Sequence, residues 1–337
     1  MRRWICLLFA LGLCCVAMTA LGDPYEVNPA VEVRVVEASW GDGPGEFRWP
    51  GDEWGMHEVW RYGPFALDDS GRIYIADIYA EPDEVEVFDQ QGRFVEMISM
   101  LQKPNIVDDL AVYRGAIYWY GQTPWGIRVL SVRPGAESVE DVEVTSDPLL
   151  THTLDGKRIS GNGRLAVSGE GLSFFALDAG LCYPLVRGTE LVPAAEQSAL
   201  KSRGLAMESG ARVTTSFGQP RTALSGEEVA SGDIVRVRAD GQIEKVLVRG
   251  RSLRGVAGDY FFNADCESVE GEYRCYWVLR DRDGRLLSRT RMPQRDHTRT
   301  IAIRYNVRLT PDGSFYELFV DDKGVHVSRW DTVIEGR

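Results

Sequence analysis

The residues best suited to chemistry lie in an aromatic-rich stretch, 47–62, where Trp49, Trp54, Trp60 and Tyr62 flank His57. Indole and phenol rings offer flat apolar faces with polar edges, the surface used to grip sugars, peptides or protein anchors. These five residues are the candidate ligand-binding set, with packing over neighbouring strands as the competing explanation of the same rings. Tyr118, Trp119, Tyr120 and Trp125 form a second aromatic group, read as core or inter-sheet packing.

Two further groups carry polar chemistry. Asp77, Glu81, Asp83 and Glu84 follow a strand end and supply the hard oxygen ligands Ca²⁺ requires, without the spacing of a helix-loop-helix calcium site. A solvated acidic turn is the preferred reading of them, with the calcium site as the alternative. His57, His152, His297 and His326 are far apart in sequence, and only convergence in space gives them a role in metal-assisted hydrolysis or elimination. Asp68, Asp69 and Asp312 stand at turns, where a carboxylate caps backbone amides. Phosphate-binding, nucleophile-elbow and His-Glu-x-x-His signatures are all missing.

Six cysteines are present, and Cys6, Cys14 and Cys15 fall in the apolar N-terminal run. Cys266 and Cys275 bracket a polar, glycine-containing turn between two strand-like runs. They are placed to bridge across a hairpin in an oxidising compartment, the alternative being two buried thiols. Cys182, between Leu181 and Tyr183, reads as an inert core thiol. Cys-x-x-Cys pairs, which would argue for zinc, do not occur.

Positioning such groups is the task of the strands. The run after Met1-Arg2-Arg3 has the charged start, apolar centre and small-residue end of a secretory signal, so residues 1–22 are expected to be removed. An uncleaved anchor is the alternative, and a lipoprotein is disfavoured because Cys14 and Cys15 follow no small residue. The formal charge is −12; losing Arg2 and Arg3 and no acid gives −14 for the mature chain. Such a balance argues against nucleic acid and leaves cations, glycans or basic protein partners open. The expected location is secreted or periplasmic, and the expected state monomeric. Ile334-Glu335-Gly336-Arg337 has the look of a protease tag and is set aside.

From residue 23 to 333 no helical period is sustained. Short runs of β-branched and aromatic residues recur between Gly, Asp, Asn and Pro. Asp69-Ser70-Gly71, Asp240-Gly241, Asp283-Gly284 and Asp312-Gly313 punctuate them as hairpin turns. Six units result, near 65–98, 107–145, 162–193, 210–249, 253–292 and 300–331, a period suited to the blades of a propeller. The chain is therefore read as all-β, a single six-bladed β-propeller, with a two-layer sandwich as the alternative. The alternating segment 31–36 has no local partner. It is expected to pair with the last unit and close the ring.

Residues 41–47, 64–77 and 85–89 resemble an NHL repeat: the lead-in Gly41-Asp42-Gly43-Pro44-Gly45-Glu46-Phe47, then Gly71-Arg72-Ile73-Tyr74-Ile75-Ala76-Asp77, then Val85-Glu86-Val87-Phe88-Asp89. The resemblance covers 41–98, with an insertion before Pro64 and Ile78-Tyr79 where the family has an Asn-Arg pair. It implies a propeller, a scaffold that hosts binding modules and metal-dependent enzymes alike. The expectation is an extracytoplasmic module that binds a protein, peptide or glycan through loops on one face. The alternatives are a propeller hydrolase or lyase with dispersed His and carboxylate ligands, and a structural part of a larger envelope assembly.

Overall fold

The computed structural model describes residues 25–49, 64–78, 80, 83–100, 107–123, 126–144, 151–154, 157–160, 163–169, 171–177, 179–216, 221–251, 253–293 and 307–334. Within them the chain is all-β, and six small antiparallel sheets follow one another as the blades of a propeller. Blade 1 runs Phe65–Leu67, Ile73–Asp77, Glu84–Phe88, Phe94–Ser99. Blade 2 runs Asp109–Tyr113, Ala116–Thr123, Gly126–Val132, Glu140–Val142. Blade 5 runs Leu253–Ala257, Tyr260–Val269, Glu272–Asp281, Leu286–Arg291. These bounds match the units expected at 65–98, 107–145 and 253–292.

Blades 3, 4 and 6 are less regular. In blade 3, Gly163–Ser168, Gly171–Ala176 and Leu181–Arg187 are regular, but the outer strand is split into Glu190–Leu191 and Ser202–Arg203 around a short helix, Ala194–Leu200. Gln197, fully buried, ties that helix to the carbonyls of Glu143 and Val192. Blade 4 begins with Leu205–Ala206, earlier than the expected 210, and continues through Arg212–Thr215, Ile234–Val237 and Ile243–Val248. Two accessory hairpins stand apart from the blades. One spans Thr151–Leu154 and Lys157–Ser160, between blades 2 and 3. The other, Arg221–Thr222 with Glu228–Val229, covers the outer strand of blade 4, its Leu224 amide bonding the Ile243 carbonyl.

Blade 6 draws its strands from both ends of the chain. Val307–Leu309, Phe315–Val320 and Gly324–Asp331 are joined on their outer edge by Val31–Ser39, in register from Val31 opposite Asp331 to Ser39 opposite Gly324. The strand expected at 31–36 thus does pair with the last unit. The residues on either side of it touch the two neighbouring blades. Val27 exchanges backbone bonds with Arg289 of blade 5, while the Gly45 amide bonds the Glu86 carboxyl of blade 1.

A strand buried on both faces packs one set of alternate side chains on each neighbouring sheet. In blade 1, Val85 and Val87 join Leu110, Trp119 and Leu130 of blade 2, while Ile73, Ile75 and Phe88 join Val36, Leu318, Val325 and Val327 on the side of blade 6. Tyr120 and Val129 of blade 2 meet Phe174 and Tyr183 of blade 3, with Tyr120 and Phe174 edge to face at 5.2 Å. Phe262 and Trp277 of blade 5 pack against Phe315 of blade 6, tilted and edge-on respectively, and Phe315 stacks on Trp330. Each fully buried Phe of this kind contributes about 2–3 kcal/mol. These aromatic residues are therefore spent between blades.

Candidate functional site at the channel mouth

Strand direction sorts the connections onto two faces. The first strands of blades 1 and 2, 2 and 3, and 5 and 6 touch one another, which places the first strands on the side of the axis. On the face reached at the ends of these first strands, most connections are short, among them 68–72, 89–93, 114–115, 188–189, 238–242, 282–285 and 310–314, with 133–139 longer. Asp68 shows how they are built. Its Oδ1 accepts the amides of Ser70 and Arg72 at 2.9 Å each, while Gly71 takes φ of 76°, open to glycine at no steric cost. Asp312 does the same for Ser314, with Gly313 at 88°.

The opposite face receives the long connections, those between Ser39 and Phe65, Ser99 and Asp109, Val142 and Gly163, and Arg291 and Val307. It also carries a ribbon from blade 5. Its strands Tyr260–Val269 and Glu272–Asp281 outrun their flanking strands, so residues 266–274 pair only within this ribbon, while the Cys275 carbonyl still accepts the Met292 amide. Cys266 and Cys275 are opposed in this ribbon and disulfide-bonded, with Cα atoms 4.0 Å apart.

At the start of the inner strands, beneath this loop face, the blades contribute charged residues to one cluster. Asp109 opens the inner strand of blade 2 and is fully buried. Its Oδ2 accepts the Leu165 amide of blade 3 at 2.8 Å, and its Oδ1 pairs with the Arg308 guanidinium of blade 6. Arg308 also reaches the Leu110 carbonyl at 3.3 Å and lies 5.2 Å from the Phe65 ring centroid of blade 1. Arg164, from blade 3, donates to the Val307 carbonyl at 3.2 Å and to the Arg254 carbonyl. Blades 3 and 6 are opposite in a ring of six, so the Arg164 side chain crosses the axis. Arg254 sits at a β-bulge between Leu253 and Gly255, a feature that re-aims a side chain.

This arrangement can hold negative charge. On the six inner strands the only charged side chains are Arg164, Arg254, Arg308 and Asp109. Guanidinium groups are permanently charged and present planar forks of N–H donors. Those of Arg164 and Arg308 are held by bonds to backbone carbonyls of facing blades.

The residues singled out from sequence go elsewhere. Trp49 is exposed and meets Trp40 edge to face at 4.8 Å on the loop face, where Trp40 also donates to the Asp321 carbonyl. Trp54, His57, Trp60 and Tyr62 lie outside the described residues, as do Glu81, Trp125 and His297. Tyr118, Trp119 and Tyr120 are core residues. Asp77 is buried, its carboxylate taken by the amides of Arg48 at 3.0 Å and Ala80 at 3.2 Å. Asp83 is buried, and burial with the nearby Asp77 raises the Glu84 carboxyl above its ordinary range. Among the described residues no three His, Cys, Asp or Glu side chains gather to hold a metal ion. His326 is a buried member of blade 6, bonded to Asp321 at 2.8 Å and stacked on Phe319. Cys182 is a buried free thiol directed at the Gly204 carbonyl.

The sequence reading missed the arginine cluster because its members are dispersed. One signal was present: Arg164, Arg254 and Arg308 each occupy the second position of an inner strand, in Gly163-Arg164-Leu165, Leu253-Arg254-Gly255 and Val307-Arg308-Leu309.

No model of a known protein family matches this chain, and no curated protein does. Among solved structures it is similar to streptogramin B lyase, at 9% identity over 81% of this chain and 93% of the other, with a TM-score of 0.40. Virginiamycin B lyase from Staphylococcus aureus gives 10% identity over 81% and 96%, TM-score 0.43. TolB from Acinetobacter baumannii gives 13% over 68% and 54%, TM-score 0.34. The propeller assignment rests on the six sheets themselves.

Proposed function

We propose that this chain is an extracytoplasmic propeller that binds a protein, peptide or glycan partner through its loop face. The observation that carries the reading is the segregation of connections: mostly short, glycine-containing turns on one face, and long connections and the disulfide-bonded ribbon on the other. Variable loops on a rigid scaffold are where recognition is placed in folds of this kind. The Cys266–Cys275 bridge and the apolar N-terminal run support an oxidising compartment. The exposed Trp49 adds an aromatic surface on the same face. The likeness of 41–98 to an NHL repeat supports descent from that propeller type.

The test is to screen the purified chain on glycan and peptide arrays. The hits are then repeated with a large polyethylene glycol attached to Asp322→Cys on the loop face or to Glu137→Cys on the turn face, both exposed positions. Blockade by the first and not the second is expected. Blockade only by the second overturns the choice of face, and an empty screen overturns the binding function.

A further inference from the structure

The outer edges of the six blades are finished in different ways. A strand edge presents unpaired amides and carbonyls, and natural sheets shorten, cover or bulge it. Blade 2 ends on a strand of three residues, Glu140–Val142, and blade 3 on two pieces of two. Blade 4 is covered by the hairpin whose Leu224 and Ser225 amides bond the Ile243 and Glu244 carbonyls. Blade 5 is covered by the N-terminal segment, through Val27 on Arg289 and the Glu26 carboxylate on the Arg291 amide. Blade 1 is interrupted by a bulge at Val95.

Blade 6 ends on Val31–Ser39, at nine residues the longest outer strand, with no Lys, Pro or Gly in it. Among the described residues its outer side is met at Val35, by Gly92, and at Ser39, whose carbonyl accepts the Phe47 amide. Before that point the edge is open. Val31, Glu32, Val33 and Arg34 are all exposed, the two valines by 60% and 41%.

The sequence of this stretch is complementary to itself. Turned antiparallel about Val33, a second copy sets Val33 against Val33, Glu32 against Arg34 of the partner subunit, and Val31 against Val35 of the partner subunit. Val31 and Val33 stand opposite Asp331 and Arg329, on one face of the sheet, while Glu32 and Arg34 stand opposite Trp330 and Ser328, on the other. Apolar side chains therefore meet on one face and opposite charges on the other, the pairings that stabilise neighbouring strands. Glu32 accepts the Ser328 hydroxyl, and Arg34 lies over the Phe319 ring and 3.6 Å from Glu37. These contacts hold both side chains along the strand and leave them exposed. Two copies of formal charge −12 repel at long range, but at physiological salt that repulsion is screened beyond about 8 Å, so complementarity at the edge decides.

We propose that the mature chain forms a two-fold dimer by antiparallel pairing of the Val31–Val35 edges of blade 6, joining two four-stranded sheets into one of eight. A two-fold axis makes each cross-strand contact twice. The dimer stands in place of the monomer expected from the sequence. Antiparallel pairing turns the two loop faces away from each other, so it is independent of binding at that face.

Sedimentation equilibrium of the mature protein tests it, with Glu32→Arg and Arg34→Glu as variants. Each reversal turns the two opposite-charge pairs into like-charge pairs and should weaken dimerisation by about tenfold or more. Mixing the two variants restores opposite charges across the interface, so the mixture should dimerise like the wild type. A variant that merely fails to fold gives no such rescue. Val33→Cys supplies a second readout. Residues directly opposite on antiparallel strands have Cα atoms about 5 Å apart, within disulfide reach, so this variant should cross-link under mild oxidation. Val31→Cys should not, because its two copies lie about 14 Å apart.

A wild type that stays monomeric up to its solubility limit overturns the pairing. So does a dimer indifferent to both reversals, or one in which Val31→Cys cross-links in preference to Val33→Cys.

Discussion

Glu86 offers a quantitative test of the packing between the N-terminal segment and blade 1. It lies on the third strand of blade 1, only 2% exposed. One carboxyl oxygen accepts the Gly45 amide, and Oε2 has no hydrogen-bond partner. Burial, with smaller contributions from Glu84 and Asp77, raises its pKa from 4.5 to about 7. The folded state therefore favours the protonated form. No penalty is felt below the unfolded pKa, and the penalty grows through the interval to its full size above pH 7. At 1.36 kcal/mol per pKa unit the interval corresponds to about 3 kcal/mol.

Glu86→Gln removes the titration and keeps the shape. It also keeps a buried polar atom without a partner, as in the protonated acid. At pH 5 the two proteins should have similar stability, and at pH 8 the variant should be the more stable by up to about 3 kcal/mol. With about 2.1 cal/mol/K of unfolding entropy per residue over roughly 310 residues, that is a rise of about 5 °C. The assay is thermal unfolding of both proteins from pH 5 to 8, read as the difference between their melting temperatures, which cancels the other carboxylates. A difference that is flat with pH, or that favours the wild type as pH rises, refutes the burial argument.

Two further predictions address the ends of the blades. Gly92 has φ of 75°, and a Cβ there would lie 1.7 Å from the Val35 carbonyl oxygen, whereas Gly115, at 73°, has nothing within 4 Å. If the N-terminal strand holds blade 6 against blade 1, Gly92→Ala should cost about 2–4 kcal/mol and Gly115→Ala about 1 kcal/mol. Equal losses in denaturant titrations would show that this contact does not matter. Replacing Cys266 and Cys275 by serine removes a cross-link worth about 2–3 kcal/mol for a loop this short. Because residues 266–274 extend past the flanking strands, amide exchange should rise about a hundredfold within the ribbon with little change in melting temperature; a large global loss would contradict that local assignment.

Repeat boundaries were legible because blade turns need particular residues. Asp-Gly and Ser-Gly pairs mark positions where only a left-handed residue closes the hairpin, and alternation between them exposes the strands. Three features escaped for physical reasons. The helix Ala194–Leu200 is too short to show a helical period. The inner strand of blade 4, Leu205–Ala206, has no pattern at two residues. The arginine cluster is assembled from strands far apart in sequence, and only alignment of the blades by their inner strands reveals the shared second position. Conversely, the acidic group at 77–84 looked chemical because of its composition. Asp77 is in fact used to cap the amides of Arg48 and Ala80, a backbone role that a list of carboxylates cannot distinguish from ligation.

The ring is held at its seam and across its axis. A stack of sheets is stable only where neighbours cover one another, and the seam between the first and last blades lacks a covalent connection. Here residues 25–49 cross three blades: Val27 on blade 5, Val31–Ser39 on blade 6, and Gly45 on blade 1. Tight turns fix the opposite ends of the strands. The start of the connection from Ser39 to Phe65 takes part in closing the ring, since Phe47 is buried with Phe65, Phe88 and Leu318. Arg164 and Arg308 add contacts across the axis: Arg164 donates to the Val307 carbonyl of blade 6, and Arg308 pairs with Asp109 of blade 2, so opposite sides of the ring are tied as well as neighbours.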